Sequence, residues 1–199
     1  MASPGIPTLS FNYDRFVVTR KLFVLLGKEF RFFDPNGRLI AYSKQKAFKL
    51  KEDIRIFADE QMSREIIRIK ARNIIDLGAT YDVFDSPTDQ RIGSIKRAGL
   101  KSAMVRDEWS IRGTGDENLA TITEDNWVLG LIRRNVINLI PQNYDIMFQG
   151  TWIGQAKQSW NLFFPKLDVN INQDPNKALD RRLLAAAIVL IMAIEGKQQ

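Results

Sequence analysis

The sequence contains no cysteine and no histidine among its 199 residues. Without cysteine the fold owes nothing to disulfides, and thiolate nucleophiles, thiolate zinc sites and iron–sulfur clusters are excluded. Without histidine the serine triad, the Cys–His dyad, most zinc hydrolases and the usual base poised near neutral pH are excluded as well. Any remaining chemistry would run on carboxylates, Lys, Tyr or an oxygen-ligated metal. Asp107-Glu108 and Glu124-Asp125 do not supply an acid and base couple, because neighbouring side chains diverge on a strand and do not face each other on a helix. A phosphate loop is missing too, since Gly113-Thr114-Gly115 has no following Lys and reads as a turn. The expectation is a protein that is not an enzyme and uses no cofactor.

Met1 to Ser10 holds no basic segment followed by an apolar stretch, and Ala2 stands where myristoylation requires glycine. The chain is therefore expected to be cytoplasmic, or peripheral at a membrane. Pro4, Gly5 and Pro7 suggest a flexible lead-in over residues 1–12, followed by one barrel domain over residues 13–199. Lys and Arg number 29 against 23 Asp and Glu, a net charge of +6 that weakly favours acidic partners.

What is present is mostly β. Short runs separated by turn residues extend from Arg15 to Asn172. Arg15 to Val24 reads as a first strand, and Glu29 to Phe33 with Arg38 to Tyr42 flank the turn Asp34-Pro35-Asn36-Gly37. Ala47 to Leu50, Asp53 to Ala58 and Glu65 to Ala71 follow, with Ile67 and Ile69 alternating against Arg68 and Lys70. Ile74 and Ile75 are expected to begin another strand. Ala79 to Phe84 with Arg91 to Lys96, and Met104 to Arg112 with Leu119 to Thr123, read as two further hairpins. Thr123 to Asn126 resembles a helix N-cap, with Trp127, Leu131, Val136 and Ile140 near helical spacing before Pro141. Tyr144 to Phe148 and Trp152 to Ala156 join through Gln149-Gly150-Thr151, and Leu167, Val169 and Ile171 alternate in a last strand.

Every side chain from Leu183 to Ile194 is apolar. As a helix this run of roughly a dozen residues spans about 18 Å, well short of the roughly 30 Å core of a bilayer. Asp174-Pro175 upstream, as N-cap and N1, and Gly196 downstream favour helix over strand. A helix that is apolar all round must be surrounded by protein. The fold class expected is therefore mainly β (α+β), with a sheet closed around a buried C-terminal helix, and no transmembrane span.

Several blocks resemble the LURP-one-related proteins, relatives of the phospholipid scramblases. These are Tyr42 to Ile54 with Phe57-Ala58-Asp59 and Ile69-Lys70-Ala71, then Ile92-Gly93, Lys96-Arg97, Leu100-Lys101-Ser102 and Arg106-Asp107-Glu108-Trp109. Phe164 to Asp168, followed by Asp180-Arg181-Arg182 and the apolar run, completes the set. The resemblance implies the tubby C-terminal-like fold, a closed antiparallel barrel of about twelve strands threaded by an apolar helix. It also implies a binding role, since tubby domains bind phosphoinositides through Lys and Arg at one side of the barrel.

The candidate headgroup residues are Lys44, Lys46, Arg68, Lys70, Arg72, Lys96, Arg97 and Lys101, as Lys and Arg bind phosphate by charge and fork geometry. The bland reading is a solvated exterior whose charges keep strands from pairing with other chains. Asp168 to Asp174 is similar to the opening of a calcium loop, but Gln173 and Leu179 stand where such a loop needs Gly and Glu, so no metal site is assigned. Trp109, Trp127, Trp152 and Trp160 are expected in the core rather than as stacking platforms, making nucleic acid an unlikely partner. The function expected is recognition of anionic phospholipid headgroups, with a protein-interaction scaffold lacking any lipid role as the alternative. Lipid scrambling fits poorly with an apolar segment that the barrel needs for itself.

Overall fold

Alternation of apolar and polar residues becomes strand pairing in the computed structural model, which describes residues 11–23, 27–45, 53–73, 78–98, 108–124, 142–159, 165–174 and 176–194. Among these residues lie twelve strands and one helix. The first six strands are β1 (Arg15–Phe23), β2 (Gly27–Phe33), β3 (Leu39–Gln45), β4 (Asp53–Phe57), β5 (Glu65–Asn73) and β6 (Thr80–Asp85). The rest are β7 (Gln90–Arg97), β8 (Glu108–Arg112), β9 (Asn118–Glu124), β10 (Asn143–Phe148), β11 (Thr151–Ser159) and β12 (Lys166–Asn170), and the helix is α1 (Arg181–Ile194). Each strand pairs antiparallel with its sequence neighbours, and β1 pairs with β12 to close the barrel.

The inward phase is apolar: Phe16 and Val18 on β1, Phe30 and Phe32 on β2, Ile67 and Ile69 on β5, Trp109 and Ile111 on β8 are at most 1% exposed. Phe11, at the end of the expected lead-in, is also buried and meets Phe16 and Phe32 edge-on. The outward phase carries Arg15, Lys21, Arg31, Lys44, Arg55 and Lys70. That is the inverse of a membrane-spanning barrel, whose outer band is apolar. Among the described residues no helix is long and apolar enough to cross a membrane.

The apolar C-terminal run forms α1, buried from Leu183 to Ala193 and packed against β5, β7 and β8. Gly93 on β7 makes the close approach possible, because a Cβ there would lie 2.2 Å from the Arg112 carbonyl oxygen and 3.0 Å from the Leu183 side chain. The helix begins later than Asp174-Pro175 suggests. Asp180 is the N-cap, its Oδ1 accepting the Arg182 amide at 2.8 Å and its carbonyl accepting from Leu184. Asp174 instead folds the approach, accepting the Ala178 and Leu179 amides at 3.0 Å each.

The expected hairpin turns form as well. Asp34 Oδ1 accepts the amides of Asn36 and Arg38 at 3.0 and 2.9 Å, while Gly37 takes a positive φ. Gln149 and Gly150 both adopt positive φ in a two-residue turn, with Thr151 already in β11. Several boundaries differ from the sequence reading: β2 starts at Gly27, β3 continues through Ser43, Lys44 and Gln45, β5 runs to Asn73, β11 spans Thr151–Ser159, β12 ends at Asn170, and Glu124 is strand rather than helix cap. The expected strands at 47–50 and 74–75, the lead of the strand from Met104, and the helix after Asn126 lie outside the described residues.

The barrel has two unlike ends. At the near end, where α1 starts, lie the turns 34–38, 58–64, 86–89, 113–117 and 149–150 and the approach 171–180. The far end, where α1 stops, is formed by the last residues of β1, β3, β5, β7, β9 and β11 and the first of β2, β4, β6, β8, β10 and β12.

Candidate functional site

The outer face of β5 carries three of the sequence-predicted cations, Arg68, Lys70 and Arg72, at alternate positions. Two of them are held by carboxylates. Arg68 pairs with Asp89 and lies over the Phe84 ring at 5.1 Å. Arg72 donates to Asp82 at 2.5 Å and to Asp116 at 2.9 Å, and Arg91 contacts the same two acids. Ser94 donates to Asp116 Oδ1 at 2.9 Å, so this network ties β5, β6 and β7 to the β8–β9 turn. Its charges are mutually satisfied. Hydrogen bonds from Arg72 and Ser94 hold the Asp116 carboxyl well below the usual carboxylate range. For Asp82 burial opposes ionisation, but the bonds from Arg72 and Arg91 outweigh it and lower its pKa.

Lys44, Lys70, Lys96 and Arg97 sit toward the far end. Lys70 lies 6.0 Å from the Phe84 ring centroid, and neither it nor Lys96 on β7 has an ion-pair partner among the described residues. Only β6 separates their strands, so the two lie roughly 10 Å apart across the sheet. Lys44 on β3 is exposed and sits 3.6 Å from Glu29. Arg97 stacks over Trp109 at 5.7 Å. Lys46 and Lys101 lie outside the described residues, as do Trp127 and Trp160. Trp109 is fully buried, as expected of a core residue, while Trp152 is 43% exposed and donates from Nε1 to Asp145 at 3.0 Å. Asp168 belongs to β12 and pairs with Arg15 at 3.3 Å.

Sequence reasoning missed the cations inside the barrel. Arg20 on β1 and Lys28 on β2 follow Phe16 and Val18, and precede Phe30 and Phe32, in the inward phase. They reach the last turn of α1. Arg20 Nη1 donates to the Met192 carbonyl at 2.6 Å and Lys28 Nζ to the Ala193 carbonyl at 2.7 Å, so two positive charges meet the negative end of the helix dipole. Beside them on β3 are Ser43 and Gln45, 0% and 4% exposed. The readable signal was a charge in the apolar phase of an alternating strand, at Arg20 and again at Lys28.

The near end treats its buried cation differently. Arg181, 2% exposed, donates to Asp174 Oδ2 and Asp14 Oδ1 at 2.6 Å each and to the Leu179 carbonyl at 2.7 Å. Arg182 reaches Asp85 at 2.8 Å and Asp180 at 2.6 Å. Two guanidinium groups thus plug this end, each facing two carboxylates.

A closed antiparallel barrel filled by its own helix, with networked charges outside and cations lining one end, defines a domain of binding type. The chain belongs to the LURP-one-related family, whose model matches residues 39–192, from the start of β3 to the last turn of α1. Curated proteins compared with the sequence give no match.

Proposed function

We propose that this domain is a non-catalytic module that binds anionic phospholipid headgroups with the far end of its barrel. The observation that carries the reading is the unequal distribution of charge. The near-end turns hold Asp59, Glu60, Asp89, Asp116 and Glu117, and Arg68, Arg72 and Arg91 are held in ion pairs there, while the far end bears Lys44 beside Glu29, Lys70 and Lys96 without an ion-pair partner among the described residues, and Arg20 and Lys28 within. A particle polarised in this way orients its basic end toward a negative surface, and each lysine near such a surface contributes about 1 kcal/mol.

Sedimentation with vesicles tests the reading. The protein should co-sediment with vesicles containing phosphatidylserine or phosphoinositide at low salt, and release as ionic strength shortens the screening length. A Lys44→Glu, Lys96→Glu double variant should stay in the supernatant with its fold intact. Wild-type protein that remains in the supernatant at low salt would remove the lipid role and leave the scaffold reading.

A further inference from the structure

The inner wall of β1, β2 and β3 carries buried polar side chains, set around the apolar Phe30, that helix capping does not explain. Arg20 aligns across the sheet with Phe30, which aligns with Ser43, and Lys28 aligns with Gln45 one row further toward the far end. Arg20, Ser43 and Gln45 are each at least nine-tenths buried. Capping uses one hydrogen bond of Arg20, from Nη1. Arg20 Nε, Ser43 Oγ, and both Oε1 and Nε2 of Gln45 are buried without a hydrogen-bond partner.

Burying such groups unmatched is costly, and most sharply so for a charge. Among the described residues the guanidinium of Arg20 meets a neutral carbonyl, whereas the buried Arg181 at the other end of the same helix has two carboxylates. Burial accordingly lowers the Arg20 pKa. A compact anion with several acceptor oxygens would complement this surface. It would take the guanidinium fork, the Ser43 hydroxyl and the Gln45 amide N–H, and the Lys28 ammonium would add charge from the adjacent strand.

We infer that Arg20, Ser43 and Gln45, with Lys28 beside them, form an interior oxyanion site at the far end that takes a phosphate group. The inference deepens the headgroup reading by naming interior residues, but it does not need a membrane, because free phosphate carries the same chemistry.

Thermal melting in inorganic phosphate, against chloride at matched ionic strength, tests the site with Gln45→Met and Ser43→Ala variants. Both substitutions remove unmatched polar atoms, so in chloride both should melt at or above the wild-type temperature. Millimolar phosphate should raise the melting temperature of wild type by several degrees, and Gln45→Met should weaken phosphate binding about tenfold or more. Equal phosphate shifts in wild type and both variants, or no shift in any, would overturn the site, with ordered water then satisfying these atoms. Vesicle binding by the wild type, set beside its phosphate shift, separates the two proposals. A phosphate shift without vesicle binding leaves the interior site standing for a soluble phosphate compound and removes the headgroup reading. Vesicle binding without a phosphate shift does the reverse.

Discussion

Asp116 stands at a positive φ in the β8–β9 turn, with Arg72, Arg91 and Ser94 all donating to it. Together with Asp82 and Asp174 it is a carboxylate whose folded pKa is depressed, in the last case by Arg181 and the Leu179 and Ala178 amides acting against burial. A depressed folded pKa contributes stability above the unfolded value, roughly 3.9 for Asp, and loses it as pH falls through the folded value. The melting temperature should therefore hold near neutrality and drop once pH goes below about 4, which a pH series of thermal melts would check. Tyr42 offers the opposite test. Burial and a hydrogen bond to Glu29 raise its phenol to about 12, so ultraviolet titration should find one of the four tyrosines ionising later than an exposed phenol near 10. At this scale the sequence revealed the outward face of Arg68 and Lys70, which alternate with Ile67 and Ile69, but not the inward one of Arg20 and Lys28. Nor could it reveal that Asp116 partners Arg72, because the two lie far apart along the chain and the pairing of β5 through β8 brings them together.

Among the elements, α1 was the most legible, since a fully apolar run too short for a bilayer has to be wrapped by protein. Its start was read too early because Asp174 resembles a cap in sequence, while the folded chain uses Asp180. Ile188 is fully buried at the middle of the helix. Ile188→Ala should cost about 2–5 kcal/mol in denaturant melts, and Ile188→Asp should leave little soluble folded protein. A well-folded Ile188→Asp variant would show that the helix is not a core element. Gly93→Ala probes the fit from the other side: the added methyl meets the Arg112 carbonyl, and a loss of about 1–3 kcal/mol is expected. Nothing in the alternation of β7 marked Gly93 as a place without room for a Cβ, because that depends on where Leu183 and the Arg112 carbonyl lie.

Across the whole molecule, strand number and order follow from hairpins whose turns are local, which is why most of the meander could be read directly. The difference between the two ends could not. It depends on Arg20 and Lys28, two inward cations more than 160 residues from the helix carbonyls they reach. Among the described residues the β1–β12 pairing is the one ladder that joins strands distant in sequence, from Arg15↔Asn170 to Thr19↔Lys166. Amide hydrogen exchange should find this seam and the middle of α1 among the slowest sites, released together when the domain unfolds globally.

That seam also sets an order of assembly. The apolar rod is made last, yet its neighbours include walls made first, and a finished cylinder offers it no side entrance. Seating the rod and drawing tight the hoop that joins first strand to last are therefore expected to go together, late in assembly.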